Sequence, residues 1–403
     1  MPGGTAEHPG DERLGGGKMS ELDTLRGEID RIDREIVALF QKRMETTEKV
    51  GEFKKENGLP VLDTSRERQV LTQKAALAKD ENAKMDVVQL YECIMGISRR
   101  QQRRLVREEQ GDPDYDRYAA AFRNPREPVK NPKVVYQGVP GAYSEVACMK
   151  FFDDGVQCTG LEQFEDTFLA LKEGKADYAV VPIENSSTGA IRQICDLLTQ
   201  YECYIVGETT VHISHCLMAP EGADFSTITH VYSHEQGLFQ SEQFLNCHPE
   251  WEQVPVFDTA GAARYVAECG DVSKAAICSK RAAELYGLTI LKKGVNHNAN
   301  NTTRFVVVSP KVELREGHDK ISTLFHLPHR SGSLHEILTI FAVNGLNVVK
   351  LESRPLPGKS WEYLFFLEFG GSISQEGMDG ILHELSQTAE EFRVLGNFKG
   401  NLT

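Results

Sequence analysis

Two polar motifs carry the residue types needed to bind a small carboxylic acid. They read Pro182-Ile183-Glu184-Asn185-Ser186-Ser187-Thr188-Gly189 and Asn301-Thr302-Thr303-Arg304-Phe305. Each adjoins a β-branched or apolar run, and together they offer hydroxyls, amides and an arginine without a cluster of metal ligands. We therefore predict an anion-binding site between two lobes, with no metal and no cofactor.

A second set of charged residues lies near the N-terminus on an amphipathic pattern. Arg43 and Lys54 are eleven residues apart, which at about 100° per residue places both on one face of a helix. Two cations on one face can hold a dianion. Arg26 lies about 100° round from Arg43, so it could instead reach the site of a partner chain. The next two helical segments add Asp63, Arg66, Glu67, Ser98 and Gln102.

An all-α domain over residues 20–108 is expected to position this second set. Apolar residues from Leu22 to Phe40 recur at steps of three and four, which predicts one long helix that must pack against a partner, such as a second copy of itself. Residues 1–19 are Gly-rich and polar and indicate a disordered tail. Residues 109–132 contain four prolines and indicate a stiff linker.

Two further domains are expected beyond the linker. Over residues 133–310 strand-like and helical runs alternate, which predicts an α/β domain with mainly parallel sheets. Over residues 320–400 the order is βαββαβ, which is typical of a ferredoxin-like fold. The chain is thus predicted to be multidomain.

Composition and charge exclude several classes of function. The net charge of −14 leaves no global basic field for nucleic acid or an anionic membrane. No run approaches a membrane-spanning length, and the nine cysteines are scattered without a C-x-x-C pair. His212, His215 and Cys216 lack a third ligand signature. These features favour small-molecule chemistry in the cytoplasm.

The N-terminal set resembles the intertwined, all-helical chorismate mutases. That resemblance implies rearrangement of chorismate to prephenate, which needs a compacted substrate and charge stabilisation at the breaking ether oxygen. It implies that Arg43, Arg66 and the partner's Arg26 bind the carboxylates, with support from Ser98. Lys54 and Gln102 would hydrogen-bond the ether oxygen, and the ring hydroxyl end would be held by Asp63 and Glu67.

The two polar motifs resemble the signatures of prephenate dehydratases, which make phenylpyruvate. The resemblance implies a two-lobed fold like that of periplasmic binding proteins, with one lobe over 133–209 plus 304–309 and the other over 211–299. Thr303 would be the proton donor and Arg304 would bind substrate. The cleft would also be lined by Asn185, Ser187, Thr188 and Gln236.

The C-terminal domain resembles the ACT regulatory module. In feedback-inhibited dehydratases two motifs bind phenylalanine, and here they correspond to Gly332-Ser333-Leu334, with serine where alanine is usual, and Glu352-Ser353-Arg354. The resemblance implies L-phenylalanine as an effector. The long helix and this module both predict a homodimer or a higher homo-oligomer.

Two alternatives stay open at this point. The dehydratase could act on arogenate, which differs from prephenate by an amino group. In a different class, the chain could be a non-catalytic, amino-acid-responsive binding protein built on the same two-lobed fold.

Overall fold

The computed structural model describes residues 16–107, 113–152, 155–356 and 362–400. It divides into two compact units, Met1–Asp112 and Pro113–Thr403. The predicted tail at 1–19 lies mostly outside the described residues. No helix among the described residues combines the length and apolarity needed to cross a membrane.

The first unit contains three helices. They are α1 (Gly16–Glu56), α2 (Thr64–Ala75) and α3 (Glu81–Arg107). Asp63 caps α2 by accepting a hydrogen bond from the Arg66 amide. A Cβ at Gly51 would lie 3.0 Å from Gln102 Cγ and from Leu105 Cδ1, so the absence of a side chain there lets α1 and α3 approach closely.

The apolar face of α1 is left largely uncovered. Ile36 is 57% exposed and Leu39 is 69% exposed. Their neighbours on the helix are exposed too: Leu22, Leu25, Ile29, Ile32 and Val37. We call these seven residues the α1 stripe. Clustered exposed apolar side chains are typical of interaction sites.

The second unit begins with a helix that corrects the predicted linker. α4 (Pro113–Arg123) lies within the segment 109–132, and residues 109–112 lie outside the described part. Tyr118 and Phe122 are buried in the same core as Phe392. The prolines therefore do not exclude a helix, because Pro113 occupies its first position, where proline is favoured.

The remaining elements of the second unit alternate as predicted for an α/β domain and then follow the βαββαβ order. Up to the second lobe they are β1 (Val134–Gln137), α5 (Tyr143–Phe152), β2 (Cys158–Leu161), α6 (Phe164–Lys172), β3 (Tyr178–Asn185), β4 (Gly189–Ala190), α7 (Arg192–Gln200) and β5 (Tyr204–His212). The second lobe holds β6 (Cys216–Ala219), β7 (His230–His234), α8 (Glu235–Gln240), α9 (Glu242–Leu245), β8 (Glu252–Val256), α10 (Thr259–Cys269), β9 (Lys274–Cys278), α11 (Lys280–Tyr286) and β10 (Thr289–Lys293). The chain returns through β11 (Thr302–Ser309) and ends in β12 (Lys320–His326), α12 (Ser333–Val343), β13 (Val348–Pro355), β14 (Tyr363–Gly370), α13 (Met378–Thr388) and β15 (Glu391–Phe398).

Each lobe has its own sheet. The first has the order β2-β1-β3-β11-β5 with β4 paired to β3, and the second has the order β10-β6-β9-β7-β8. The expectation of mainly parallel sheets is confirmed, since β1, β2, β3 and β5 share one direction in the first sheet and β7, β8, β9 and β10 share one direction in the second. One strand of each path is reversed: β11, which re-enters the first lobe from the second, and β6.

The C-terminal sheet has the order β13-β14-β12-β15 and packs against the first lobe. Leu324, Phe366 and Leu395 share one buried core with Val306 and Val308 of β11. The guanidinium of Arg393 donates to the carbonyl of Cys203 at 2.9 Å. The C-terminal domain thus forms part of the support of the strand that carries Thr303.

Candidate active sites

A cavity of about 1100 Å³ lies between the two lobes. Its walls include Asn185, Thr188, Thr303, Phe305, Gln236 and Thr259. No lysine or arginine is among the described residues of this lining. An adjoining cavity of about 610 Å³ shares Gly138 and Asp258 with it and is also lined by Arg264.

Thr303 and Asn185 are paired across β11 and β3, and this pairing fixes their roles. Asn185 Oδ1 accepts hydrogen bonds from the backbone amides of Ser187 at 2.9 Å and Thr188 at 3.1 Å. Since backbone amides can only donate, Asn185 Nδ2 must be the donor side of the amide. Nδ2 donates to Thr303 Oγ1 at 2.8 Å. Thr303 Oγ1 donates to no acceptor among the described residues, so its proton is available to the cleft.

The same orientation extends from Asn185 towards the second lobe. Asn185 Nδ2 also donates to Asn301 Oδ1 at 2.8 Å. Asn301 Nδ2 in turn donates to Gln240 Oε1 at 3.1 Å. Gln240 Oε1 also lies 3.0 Å from His215 Nε2. As this oxygen can only accept, Nε2 must carry a proton.

The tautomer of His215 follows from this chain of donors. Its Nδ1 lies 3.2 Å from the Tyr143 hydroxyl. Burial lowers the pKa of His215 and raises the pKa of Tyr143. The ring is therefore neutral at neutral pH, donating from Nε2 and accepting at Nδ1 from the tyrosine. Both ring nitrogens are occupied, which leaves neither for a metal ion.

A different group of residues brings possible metal ligands together at the end of the C-terminal sheet. His326 Nε2 lies 2.9 Å from Glu362 Oε2, and Nδ1 lies 3.0 Å from Glu390 Oε2. Because the two nitrogens face different carboxylates, one ion could take only one of them. The group holds the imidazole between two carboxylates at this end of the sheet.

Of the other three residues predicted to line the cleft, two line the cavity and one does not. Gln236 and Thr188 line the cavity. Ser187 is not among the lining residues, and its hydroxyl accepts a hydrogen bond from Asn298 Nδ2 at 2.8 Å. It thus ties the turn after β3 to the returning segment.

Arg304 is the clearest departure from the prediction, because it does not line the cavity. Its Nη1 lies 2.6 Å from Glu368 Oε2 and 3.0 Å from Glu208 Oε2. Burial works to lower the pKa of Arg304, but these carboxylates and Glu184 outweigh it and raise the pKa overall. Neighbouring residues of a strand point to opposite faces, so Thr303 and Arg304 cannot both face the substrate.

In the helical unit, part of the predicted mutase set is assembled between α1 and α3. Arg43 Nη1 donates to Ser98 Oγ at 2.6 Å, and burial lowers the pKa of Arg43. Lys54 Nζ donates to the Val61 carbonyl at 2.6 Å. Gln102 is buried opposite Gly51, and its Oε1 is a buried acceptor without a hydrogen bond among the described residues.

The remaining mutase candidates make mainly local contacts. Arg66 Nη1 donates to Gln69 Oε1 at 2.7 Å, and Arg26 donates to Asp23 at 3.3 Å. Asp63 is engaged as the cap of α2, and its amide hydrogen bonds lower its pKa. Glu67 pairs with Arg99 at 2.5 Å.

The two predicted effector motifs lie in the C-terminal domain. Gly332 has φ 84° and precedes the first turn of α12, where Ser333 and Leu334 begin the helix. Arg354 is buried and pairs with Glu352 in β13.

Sequence reasoning missed three residues of these sites. Gln240 lies one helical turn after Gln236, and Arg99 lies three residues before Gln102 on α3. Both spacings place the missed residue on the face of a predicted one. Asn301 stands in the quoted motif, but its role depends on contacts between the lobes, which no local pattern reveals.

Two family models match this chain. Residues 25–103 match the model of chorismate mutase type II, and residues 134–313 match the model of prephenate dehydratase. Among solved structures, prephenate dehydratase from Arthrobacter aurescens in complex with L-Phe is 28% identical, with a TM-score of 0.61, and covers 66% of this chain and 90% of its own. The quorum-quenching acylase GqqA is 30% identical with a TM-score of 0.62, covering 67% and 98%.

Curated relatives extend the match to most of the chain. Arogenate dehydratase 3 of Arabidopsis thaliana is 37% identical over 290 residues, 68% of each chain. The bifunctional chorismate mutase/prephenate dehydratase of Escherichia coli K12 is 32% identical over 382 residues, covering 93% of this chain and 95% of its own. This chain contains both catalytic domains and belongs to the family of bifunctional chorismate mutase/prephenate dehydratases.

Proposed function

We propose that the helical unit converts chorismate to prephenate and that the cleft between the lobes converts prephenate to phenylpyruvate. The observation that carries the second assignment is the free hydroxyl proton of Thr303, aimed by Asn185. The prediction of an enzyme is thereby preferred to that of a non-catalytic binding protein, in agreement with both family matches.

In the dehydratase step Thr303 is the proton donor. As the ring carbon–oxygen bond breaks, the leaving oxygen takes the Thr303 proton and departs as water. The electrons of the bond to the ring carboxylate enter the ring, and carbon dioxide is released. The step consumes one proton overall, so Thr303 is reprotonated from solvent. Aromatisation supplies the driving force, which lets a weak acid such as a threonine hydroxyl serve.

The substrate is then bound in the cleft by the side-chain amide of Gln236 and by backbone amides, rather than by Arg304. Gln236 lines the cavity, and the start of α10 contributes backbone amides around Thr259. Arg264 in the adjoining cavity is the cation available on that side. These groups suit the carboxylates of the substrate.

In the mutase step the protein supplies positioning and charge. Lys54 and Gln102 hydrogen-bond the ether oxygen, whose negative charge grows in the transition state. Arg43, supported by Ser98, binds one carboxylate, and Arg66 and the partner's Arg26 complete the set. Asp63 and Glu67 hold the ring hydroxyl end. The exposed α1 stripe supports a homodimer or higher oligomer in which a second copy covers it.

The C-terminal domain is an ACT module that binds L-phenylalanine and inhibits the dehydratase. Three observations support this assignment. They are the βαββαβ order, the loops at Gly332 and Glu352, and the complex of the Arthrobacter relative with L-Phe. The motif residues are Gly332, Ser333, Leu334, Glu352, Ser353 and Arg354. We place the enzyme in the cytoplasm, in keeping with the free cysteines among the described residues.

The test is to incubate the purified chain with chorismate and follow chorismate and phenylpyruvate with and without phenylalanine. Phenylpyruvate that forms and is suppressed by phenylalanine is the expected result. Chorismate left unconsumed would contradict the proposal.

Arogenate remains a second candidate substrate because the Arabidopsis relative is named for it. Assaying both compounds with the same preparation distinguishes them. We expect the higher kcat/KM with prephenate, and a higher value with arogenate would reverse the assignment.

A further inference from the structure

A continuous series of ion pairs runs from one predicted effector motif to the strand that carries Thr303. In order it contains Arg354, Glu352, Lys350, Glu184 and Arg304, and we call it the bridging chain. The first three residues belong to β13 of the C-terminal domain, and the last two belong to β3 and β11 of the first lobe. Signs alternate along it, so each of the three middle residues contacts an opposite charge on either side.

The link between the two domains is made by Lys350. Its Nζ lies 3.0 Å from Glu184 Oε2 and 3.5 Å from Glu352 Oε2. Its side chain is 12% exposed, which shields these contacts from the screening that weakens surface ion pairs. The ammonium of Lys350 is thus shared between a carboxylate of the effector motif and one of the dehydratase lobe.

At the other end the bridging chain meets the catalytic pair through the backbone. Glu184 is opposite Arg304 in the β3–β11 ladder, directly beside the pair formed by Asn185 and Thr303. The register shifts immediately after Arg304, between it and Phe305. Side chains alternate along each strand, so the charged pair faces the C-terminal sheet while the polar pair faces the cleft. A change in the charged pair therefore acts on the backbone that aims the Thr303 hydroxyl.

Arg304 is held by two ion pairs through Nη1, but two of its other nitrogens make no hydrogen bond among the described residues. Its Nη1 contacts Glu368 and Glu208, and Lys320 also binds Glu208 at 2.6 Å. Arg304 Nε and Nη2 are buried and make no hydrogen bond among the described residues, and Nη2 reaches Glu184 Oε2 only through an ion pair at 3.4 Å. The guanidinium can therefore rearrange towards Glu184 without losing Glu368.

We propose that the bridging chain couples phenylalanine binding to the dehydratase site, with Lys350 as the linking residue. This inference rests on the proposed regulation by phenylalanine. An amino acid bound at residues 352–354 brings an ammonium that competes with Lys350 and Arg354 for Glu352. Lys350 then shifts towards Glu184, and the Glu184–Arg304 pair moves the strands that carry Asn185 and Thr303. Only such a difference between the two states allows the ligand to inhibit.

Loss of Lys350 should leave the basal reaction in place. Arg304 keeps Glu368 and Glu208 without it, and Glu184 is 39% exposed and can be solvated. The matched variants are Lys350→Met, which removes the charge, and Lys350→Arg, which retains it and can reach both carboxylates.

The experiment measures phenylalanine affinity by calorimetry and dehydratase activity on prephenate at saturating phenylalanine. Coupling between sites is typically about 5–150-fold. We expect Lys350→Met to bind phenylalanine as the wild type does but to show a coupling factor near one, whereas Lys350→Arg stays inhibited. Full inhibition of Lys350→Met, or loss of its phenylalanine binding, would overturn the proposed role.

A second variant keeps the proposal testable if Lys350→Met fails to fold. Glu184→Gln removes the charge from the dehydratase side at nearly constant size and should be uncoupled in the same way. Inhibition of Glu184→Gln equal to the wild type would overturn the proposal. If the wild-type protein itself binds no phenylalanine, the regulatory function fails and the coupling fails with it. That outcome is distinguished by the wild-type titration alone.

Discussion

The dehydratase cleft and the helical mutase unit differ in how much of each site one chain supplies. In the cleft, side chains from both lobes meet, and the hydrogen bonds of Asn185 fix the direction of the Thr303 hydroxyl. In the helical unit Arg43 and Ser98 meet, but Arg26 contacts Asp23 on its own helix, and the α1 stripe is exposed. The difference shows that one chain assembles the cleft but only part of the predicted mutase set, as we propose for a site that a second copy completes.

Removal of the Thr303 hydroxyl is expected to have the largest effect. Thr303→Ala should lower dehydratase turnover by about 10²–10⁴-fold, because it removes the proton donor, and should leave mutase activity unchanged. Both rates are measured on one preparation, with chorismate and prephenate as separate substrates. Thr303→Ser retains the hydroxyl and should keep most activity, and an inactive serine variant would argue against the donor role.

Removal of the Lys54 ammonium is the converse test. Lys54→Ala should reduce mutase turnover by about 10²–10³-fold, as for the loss of one donor to a developing anion, and should spare the dehydratase. Lys49→Ala serves as a control, because Lys49 is exposed on the same helix. A normal mutase rate in Lys54→Ala would break the assignment.

Loss of the Gln240 acceptor tests whether the hydrogen-bond network in the cleft also stabilises the folded protein. Gln240→Leu leaves two buried donors, on His215 and Asn301, without their acceptor. The expected cost is about 1–3 kcal/mol of unfolding free energy for each donor, measured by denaturant titration. Gln236→Leu, one turn earlier at an exposed position, should change stability little, and equal losses in the two variants would refute the network.

The smallest expected effect is on how the unfolding free energy changes with pH. Burial lowers the pKa of His215, so below the ordinary histidine value of about 6.5 the unfolded chain binds more protons than the folded one. The stability due to neutral His215 is complete above about pH 6.5 and is lost as the pH falls towards its lowered value. Unfolding free energies at about pH 7.5 and pH 5.5 should differ less in His215→Gln than in the wild type. His297→Gln, at an exposed position, should behave as the wild type does.

Much of the fold could be predicted from periodicity alone. The alternation of helices and strands and the βαββαβ order are local patterns, and the structure has them. The predicted linker is corrected to a helix over part of its length, because composition and proline content do not reveal the apolar face of Pro113–Arg123. Tyr115, Tyr118, Ala119 and Phe122 recur at helical spacing, with Pro113 at the first position of the helix they form and Pro125 just beyond its end.

The candidate sites were predictable in residue type but not in orientation. Strand alternation alone could have separated Thr303 from Arg304, since adjacent residues face opposite sides. The carboxylates that receive Arg304 come from β5 and β14, which are distant in sequence. Similarly, the antiparallel direction of β11 depends on how the two lobes are connected, which no local pattern encodes.

We propose that the mutase site is shared between two chains, whereas the dehydratase site is complete in one. The most direct test of this proposal is to mix Arg26→Ala and Lys54→Ala subunits under conditions of exchange and measure mutase activity. If the partner's Arg26 completes the site, each hybrid dimer has one intact site and the mixture should regain about a quarter of the wild-type rate. A mixture no more active than the mean of the two variants would contradict the account.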